Sequence, residues 1–243
     1  MKILPTRDKI NTMSIIPVKI VEIRQETPLV RVIKINLQNQ EFKYKPGQWI
    51  DCYAEINGKR HVAGYSLTSS PTKQGFIELA VRTSDNPVTC FIHGEASPGD
   101  TLYIDGGQGE VYYEEGMGDK VVLAAAGIGV APLMGILRYM DDTGCGEVSM
   151  YQSAGTMMEL IYYDELMERS GNNPNIRYHP FVTREKPTGV TREGRITGES
   201  LEKHIEPEPL FFLSGPGEMI PDIRDYLLAN GVDEDRVKYE VWW

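Results

Sequence analysis

The chain has 243 residues, enough for one large or two small domains with a substantial core. Its composition, 41% hydrophobic and 25% charged with no low-complexity tract, is that of a globular protein, and no apolar run approaches the ~20 residues that span a bilayer. A net charge of −10 argues against a nucleic-acid surface, and nearly all the acidic excess lies after residue 115, which suggests two domains with different surfaces.

The opening stretch MKILPTRDKINTMS has neither an apolar signal core nor an Arg-rich, acid-free targeting pattern, so a cytoplasmic protein is expected. From there to about residue 115, short strands follow one another. VKIVEIRQ, VRVIKINLQ, WIDCYAEI, VAGYSLTSS and FIELAVRTS are rich in β-branched and aromatic residues, several alternating with period two. Turn signals at Pro46-Gly47, Asn57-Gly58 and Pro98-Gly99-Asp100 separate them. NPVTCFIHGEA is the exception, a short helix opening near Thr89. Strands at this spacing without long helices between them predict an antiparallel barrel or sandwich.

The pattern changes at EEGMGDK. VVLAAAG reads as a buried strand, VAPLMGILRYM as a helix, EVSMYQSA as a strand and TMMELIYYDELMERS as one amphipathic helix. NIRYHPFVT, LFFLSG and VKYEVWW read as further strands, and a helix, GEMIPDIRDYLLANG, lies between the last two. This alternation predicts a doubly wound α/β domain with a parallel sheet. The expected division is a β domain over residues 1–115 and an α/β domain over 116–243.

Several segments carry residues suited to chemistry. In AAAGIGVAPL, Gly127 and Gly129 follow the apolar strand directly and Pro132 falls where a helix begins. Glycines let the main chain approach a phosphate, and the helix start offers free N–H groups; the plain alternative is a tight strand–helix turn. The strand that follows ends in Gln152, Ser153, Ala154 and Gly155, with no carboxylate for a ribose and no Arg or Lys for a 2′-phosphate, which tilts the expectation towards NADH over NADPH. In LFFLSGPGEM, Ser214, Gly215 and Pro216 end a buried strand, where Ser214 either meets a ligand or caps the next helix. YEVWW ends the chain with Trp242 and Trp243, which suit either core packing or a flat cofactor ring, behind the ionisable Glu240. Cys52, Cys90 and Cys145 form no CxxC pair, so no metal or iron–sulfur site is expected.

Taken in order, YKPGQWI, GYSLTSSP, PGDTLYIDGGQG, AGIGVAPL, GRIT, LSGPGEM and the terminal YEVWW resemble the ferredoxin–NADP reductase superfamily of flavoproteins over essentially the whole chain. VAGYS and YEVWW are most similar to the branch called oxidoreductase NAD-binding domain-containing proteins. The resemblance implies a six-stranded flavin-binding barrel followed by a nicotinamide-nucleotide domain. It implies that Tyr65 packs on the isoalloxazine, that Ser66 bonds near the flavin N5, and that Leu67 and Thr68 line the ring or ribityl chain. Val88 and Thr89 would meet the flavin phosphates. Gly127, Ile128, Gly129 and Pro132 would cradle the dinucleotide, with Ser214, Gly215 and Pro216 beside the nicotinamide and Trp242 and Trp243 over the flavin.

Three departures stand out. Ala63 occupies the position of the family's phosphate-gripping arginine, Asn86 that of a glycine, and Ser214 that of a cysteine. Arg60, His61 or Arg82 would have to compensate for the first. The implied function is a flavin-dependent oxidoreductase passing hydride from NADH or NADPH to FAD and electrons to a small molecule or a redox protein. Ser66, Ser214 and Glu240 are its candidate catalytic residues. The alternative is a non-catalytic nucleotide-binding or regulatory subunit that keeps the fold.

Overall fold

The computed structural model describes residues 15–206 and 209–240, and two six-stranded sheets divide them. The first is antiparallel and is built from β1 (Ile16–Thr27), β2 (Val30–Asn36), β3 (Trp49–Ile56), β4 (Lys59–Ser66), β5 (Phe76–Arg82) and β6 (Thr101–Gln108), in the order β4-β3-β6-β1-β2-β5. Leu67, just past β4, bridges Leu79 of β5, so the two edge strands meet and the sheet closes into a barrel. Alternate residues point inward: Val18, Ile20, Ile33, Ile35, Ile50, Cys52, Ile77 and Ile104 form its buried core. Each such side chain contributes about 1.5–3 kcal/mol of burial free energy. β6 lacks a strong strand composition because it ends in Asp-Gly-Gly-Gln, with Gly106 and Gly107 at φ of +146° and +81°.

The run VAGYSLTSS does not stay in one strand to Ser70. β4 stops at Ser66, the Leu67 N–H then donates to the Gln48 carbonyl, and the Thr68 N–H donates to the Glu78 carbonyl. Barrel closure takes over those donors. The short helix α1 (Pro87–Gly94) opens two residues before Thr89, because the Asn86 side chain caps it.

The second sheet is parallel, with strands β7 (Lys120–Ala126), β8 (Glu147–Ala154), β9 (Ile176–Val182), β10 (Arg192–Glu193), β11 (Leu210–Ser214) and β12 (Val237–Tyr239), in the order β10-β9-β8-β7-β11-β12. Helices α2 (Val130–Thr143) and α3 (Tyr163–Asn172) cover one face; α4 (Gly198–Leu201) and α5 (Met219–Ala229) cover the other. Val121 and Leu123 pack on the side of α2 and α3 while Val122 and Ala124 pack on the side of α4 and α5, so both faces of β7 are buried and its sequence after Lys120 is uniformly apolar. No helix among the described residues is long and apolar enough to cross a membrane.

TMMELIYYDELMERS is not one helix. Residues Met157–Glu159 form a 3-10 turn, Tyr162 takes a left-handed conformation at φ +61°, and α3 starts only at Tyr163. Gln152 Nε2 donates to the Ile161 carbonyl and the Tyr162 N–H donates to Glu26, so tertiary partners replace the helical hydrogen bonds. The barrel and the α/β unit share one core, since Val30, Val32 and Ala80 on the outer barrel wall pack with α2 residues such as Leu133 and Leu137. Gly135 of α2 permits this approach; a Cβ there would lie 2.6 Å from the Leu67 carbonyl oxygen.

Candidate flavin and dinucleotide site

A cavity of about 630 Å³ lies between the domains at the carboxyl ends of β7 and β8. Gly127 and Ile128 line it, with Ser153 to Gly155, Pro216 and, from the barrel, Thr27, Leu29 and Arg82. Parallel strands of a doubly wound sheet place ligands at this end. Gly127 has φ +56° and nothing within 4 Å of where a Cβ would stand, so its main chain is both left-handed and open to a ligand. The Gly129 side of the turn differs. A Cβ there would overlap the Ser214 carbonyl, so Gly129 serves the contact between two strand ends, and it is buried with Pro132 behind the open part of the turn. No side chain caps this turn or α2; the Val130 N–H that opens α2 is taken by the Gly127 and Ile128 carbonyls, so the N–H groups without a cap are those of the turn itself.

Ser214 ends β11 and is 3% exposed, and its Oγ has no hydrogen-bond partner among the described residues. It does not cap the next helix, because α5 begins only at Met219 and has no side-chain cap bond. Gly215 packs against Ala126, and Pro216 reaches the cavity.

On the barrel, Tyr65 and Ser66 are half-buried at the end of β4, paired across the ladder with Ile50 and Trp49. The Tyr65 hydroxyl bonds the Thr89 hydroxyl at 2.8 Å, which ties β4 to α1. Burial pushes that phenol well above its ordinary range, so it stays protonated. The Ser66 hydroxyl makes no hydrogen bond among the described residues. Leu67 and Thr68 turn inward with no exposed surface, Leu67 into the barrel core and Thr68 onto Glu78 and Tyr162, and their N–H groups are taken by Gln48 and Glu78, so neither lines a flavin ring or ribityl chain as the resemblance implies. Glu240 lies beside Trp49; burial raises its carboxyl above the ordinary range, and the bond from Trp49 works against that shift. Trp242 and Trp243 lie outside the described residues.

The phosphate end is less open. Asn86 Oδ1 accepts the Val88 N–H at 2.8 Å, and its Nδ2 donates to the Val62 carbonyl at 3.1 Å. Val88 is wholly buried and Pro87 has no N–H, so of the first three helical residues only Thr89 keeps a main-chain donor free of a cap. Arg60 is committed to Glu55 and stacks on Tyr103, whereas Arg82 is exposed at the cavity mouth with no ion pair among the described residues. The residues therefore fit a flavin ring at Tyr65 and Ser66 and a dinucleotide at Gly127 and Ser214. They fit a flavin diphosphate with fewer donors.

The carboxyl end of β8 carries both charge types that its own sequence lacks. Glu159 folds back so that its Oε2 accepts the Gly155 N–H at 3.0 Å, and Arg184 Nη2 lies 2.6 and 2.7 Å from its two oxygens. Arg195 and Thr197, from the GRIT segment, also line the cavity. Glu159 stands five residues beyond the strand and Arg184 on another loop, so strand-end spacing does not reveal them. The free thiols Cys52, Cys90 and Cys145 sit in separate elements, and no group of three or more metal-ligating side chains gathers among the described residues.

Comparisons with known proteins agree with this layout. The oxidoreductase FAD-binding domain family matches residues 17–113, and the oxidoreductase NAD-binding domain family matches residues 123–225. Oxidoreductase NAD-binding domain-containing protein 1 of Danio rerio is 29% identical, over 95% of this chain and 93% of the relative. The glycine betaine monooxygenase reductase subunit of Chromohalobacter salexigens is 28% identical, over 89% of this chain and 61% of the relative. The FAD/NAD-binding domain of nitric oxide dioxygenase from Vibrio cholerae superposes with a TM-score of 0.83 at 22% identity, covering 93% of this chain and 98% of that one. A ferredoxin NADP+ reductase from Neisseria gonorrhoeae with bound FAD and NADP gives 0.78 at 21% identity, covering 93% and 98%. At these identities the two solved structures speak to fold alone.

Proposed function

The chain carries an oxidoreductase FAD-binding domain followed by an oxidoreductase NAD-binding domain, and from that premise we propose a flavin-dependent oxidoreductase of the ferredoxin–NADP reductase superfamily that moves hydride from a nicotinamide dinucleotide to FAD and electrons on to an acceptor. FAD, when bound, supplies the two-electron chemistry, and the protein supplies orientation and electrostatics. The observation that carries the reading is the open, left-handed turn at Gly127 lining the cavity, backed by Ser214 at the end of β11, whose carbonyl meets Gly129 and whose buried hydroxyl has no partner among the described residues. An unpaired buried hydroxyl costs about 1–3 kcal/mol, which a polar group of a docked dinucleotide relieves.

The remaining residues take roles that follow from their positions. Gly127 and the glycine turn that leads into α2 hold the dinucleotide's charged linkage with main-chain N–H groups and the helix dipole. Tyr65 presents its ring beside Ser66, whose free hydroxyl donates to or accepts from the flavin edge. Glu240, raised by burial, retains a proton more readily than an exposed carboxyl and sits beside Trp49, the ladder partner of Ser66. Glu159 at the end of β8 supports NADH over NADPH, since a carboxylate accepts from a ribose hydroxyl and repels a 2′-phosphate. A redox-protein acceptor is supported by relatives named as monooxygenase reductase components, of which this chain covers 61% and 59%.

Anaerobic mixing of FAD-loaded protein with NADH, then NADPH, tests the reading through the flavin absorbance. Bleaching by NADH supports it; protein that holds flavin but is reduced by neither nucleotide sinks it. A non-catalytic reading draws on Ala63 and on the Asn86 cap, and saturable FAD binding with turnover rejects it.

A further inference from the structure

Thr68 lies two residues beyond Ser66, and three groups of the α/β domain or its ion network converge on it. The Tyr162 hydroxyl lies 3.1 Å from both Thr68 Oγ1 and Glu78 Oε1, and Thr68 Oγ1 donates to Glu78 at 3.0 Å. Arg138 Nη1 donates to the Thr68 carbonyl at 2.9 Å and to Glu78 at 2.7 Å, while its other nitrogens grip Glu165 of α3. The Tyr162 ring is buried between the guanidinium groups of Arg24 and Arg138, at 5.6 and 4.8 Å from its centroid. Burial holds the phenol far above its ordinary range, so it remains a donor at any working pH.

We propose that Tyr162, backed by Arg138, is a positioning residue that fixes the Ser66–Thr68 segment of the barrel against the dinucleotide-binding domain. The inference rests on the function proposed above, in which Ser66, at the start of that segment, meets the flavin and the opposite domain meets the nicotinamide.

Two observations favour positioning over adhesion. The apolar contact of Val30, Val32 and Ala80 with α2 already holds the domains together, whereas a buried polar network adds little net stability and much directional constraint. Tyr162 also takes a left-handed main-chain conformation that a non-glycine residue adopts only when its surroundings impose it. That conformation ends the 155–162 segment, whose Glu159 and Ile161 line the dinucleotide cavity while Tyr162 turns to Thr68. One short segment thus contacts both halves of the proposed reaction. Hydride transfer depends steeply on such alignment, and a misplacement of about 1 Å costs on the order of 100-fold in rate.

The test uses the full chain loaded with FAD. Tyr162→Phe removes only the hydroxyl and keeps the ring beside its guanidinium groups; Thr68→Val removes the link from that hydroxyl to the barrel segment and leaves Glu78 as its acceptor. Each is expected to lower the limiting rate of flavin reduction at saturating NADH by about tenfold, with FAD and NADH dissociation constants unchanged, and the double variant to be no slower than either single one. Hydrogen exchange at the Leu67 and Thr68 amides is expected to quicken in both. A lower melting temperature with an unchanged limiting rate overturns the proposal and leaves Tyr162 a structural residue. Wild-type protein that holds FAD but is not reduced overturns the proposed function instead; in that case unchanged exchange at Leu67 and Thr68 in Tyr162→Phe overturns the positioning as well.

Discussion

Gly129, in the turn between β7 and α2, and Ser214, at the end of the neighbouring strand β11, touch so closely that the Ser214 carbonyl occupies the space where residue 129 would carry a Cβ. Glycine is therefore required at 129 for packing, independently of any ligand. Gly129→Ala is expected to destabilise the fold by about 1–3 kcal/mol, the usual cost of overpacking, and to displace the glycine turn. Urea unfolding measures the first effect, and loss of NADH-driven flavin reduction with FAD retained measures the second.

The phosphate end of the flavin site yields the next expectation. Ala63 supplies no charge and Asn86 occupies the Val88 N–H, so FAD is expected to leave the protein readily on desalting. Ala63→Arg adds a charge-assisted bond of ~1.5–3 kcal/mol, which is about 10- to 100-fold in affinity. Titration by flavin fluorescence decides it: equal affinity in both proteins means that Arg82 or another group already supplies the charge.

Glu159 neutralises Arg184 at the end of β8. Glu159→Gln removes the negative charge facing a 2′-phosphate and releases Arg184 to bind it. The ratio of kcat/KM for NADH over NADPH is expected to fall by roughly tenfold, ~1.4 kcal/mol of discrimination. An unchanged ratio would place the choice of cofactor elsewhere in the cavity.

Stability should also respond to acid through His179 and His204, which flank Tyr151. The His204 Nε2 bonds the Tyr151 hydroxyl at 2.9 Å, and the His179 ring lies 4.4 Å from the Tyr151 ring. Burial first, then the charges of Lys203 with Arg192 and Arg177 around His179, and of Lys203 with Arg177 around His204, push both imidazoles down to about 4 from 6.5. The folded state therefore favours the neutral rings, and the unfolded chain binds more protons. Their contribution is complete above pH 6.5 and is lost as the pH falls towards about 4. Urea midpoints across that window should decline less steeply in His204→Gln than in the wild type.

The division into a barrel and an α/β unit is readable from local pattern, because one-sided burial produces alternation in Trp49–Ile56 and two-sided burial produces the unbroken apolar run of Lys120–Ala126. The glycine turn and Ser214 are readable for a related reason: strand ends in such a sheet are short, contiguous and marked by residues with special main-chain needs. Other features escape a linear reading. The 156–170 stretch keeps helical apolar spacing, yet Gln152 on the preceding strand and Glu26, 136 residues away in the barrel, break it at Tyr162. Thr68 carries a hydroxyl like its neighbours, and only barrel closure shows that it faces away from the surface.

By itself, the sequence determined the fold class and the identity of the groups at the strand ends, since both follow from periodicity and from main-chain chemistry within a few residues. Tertiary structure alone decided which charges stand at those ends and how the two domains are aligned. Glu159 with Arg184, and Tyr162 with Thr68, are pairs 25 and 94 residues apart. Their meeting depends on how the sheets close and pack, and local propensity carries no record of that.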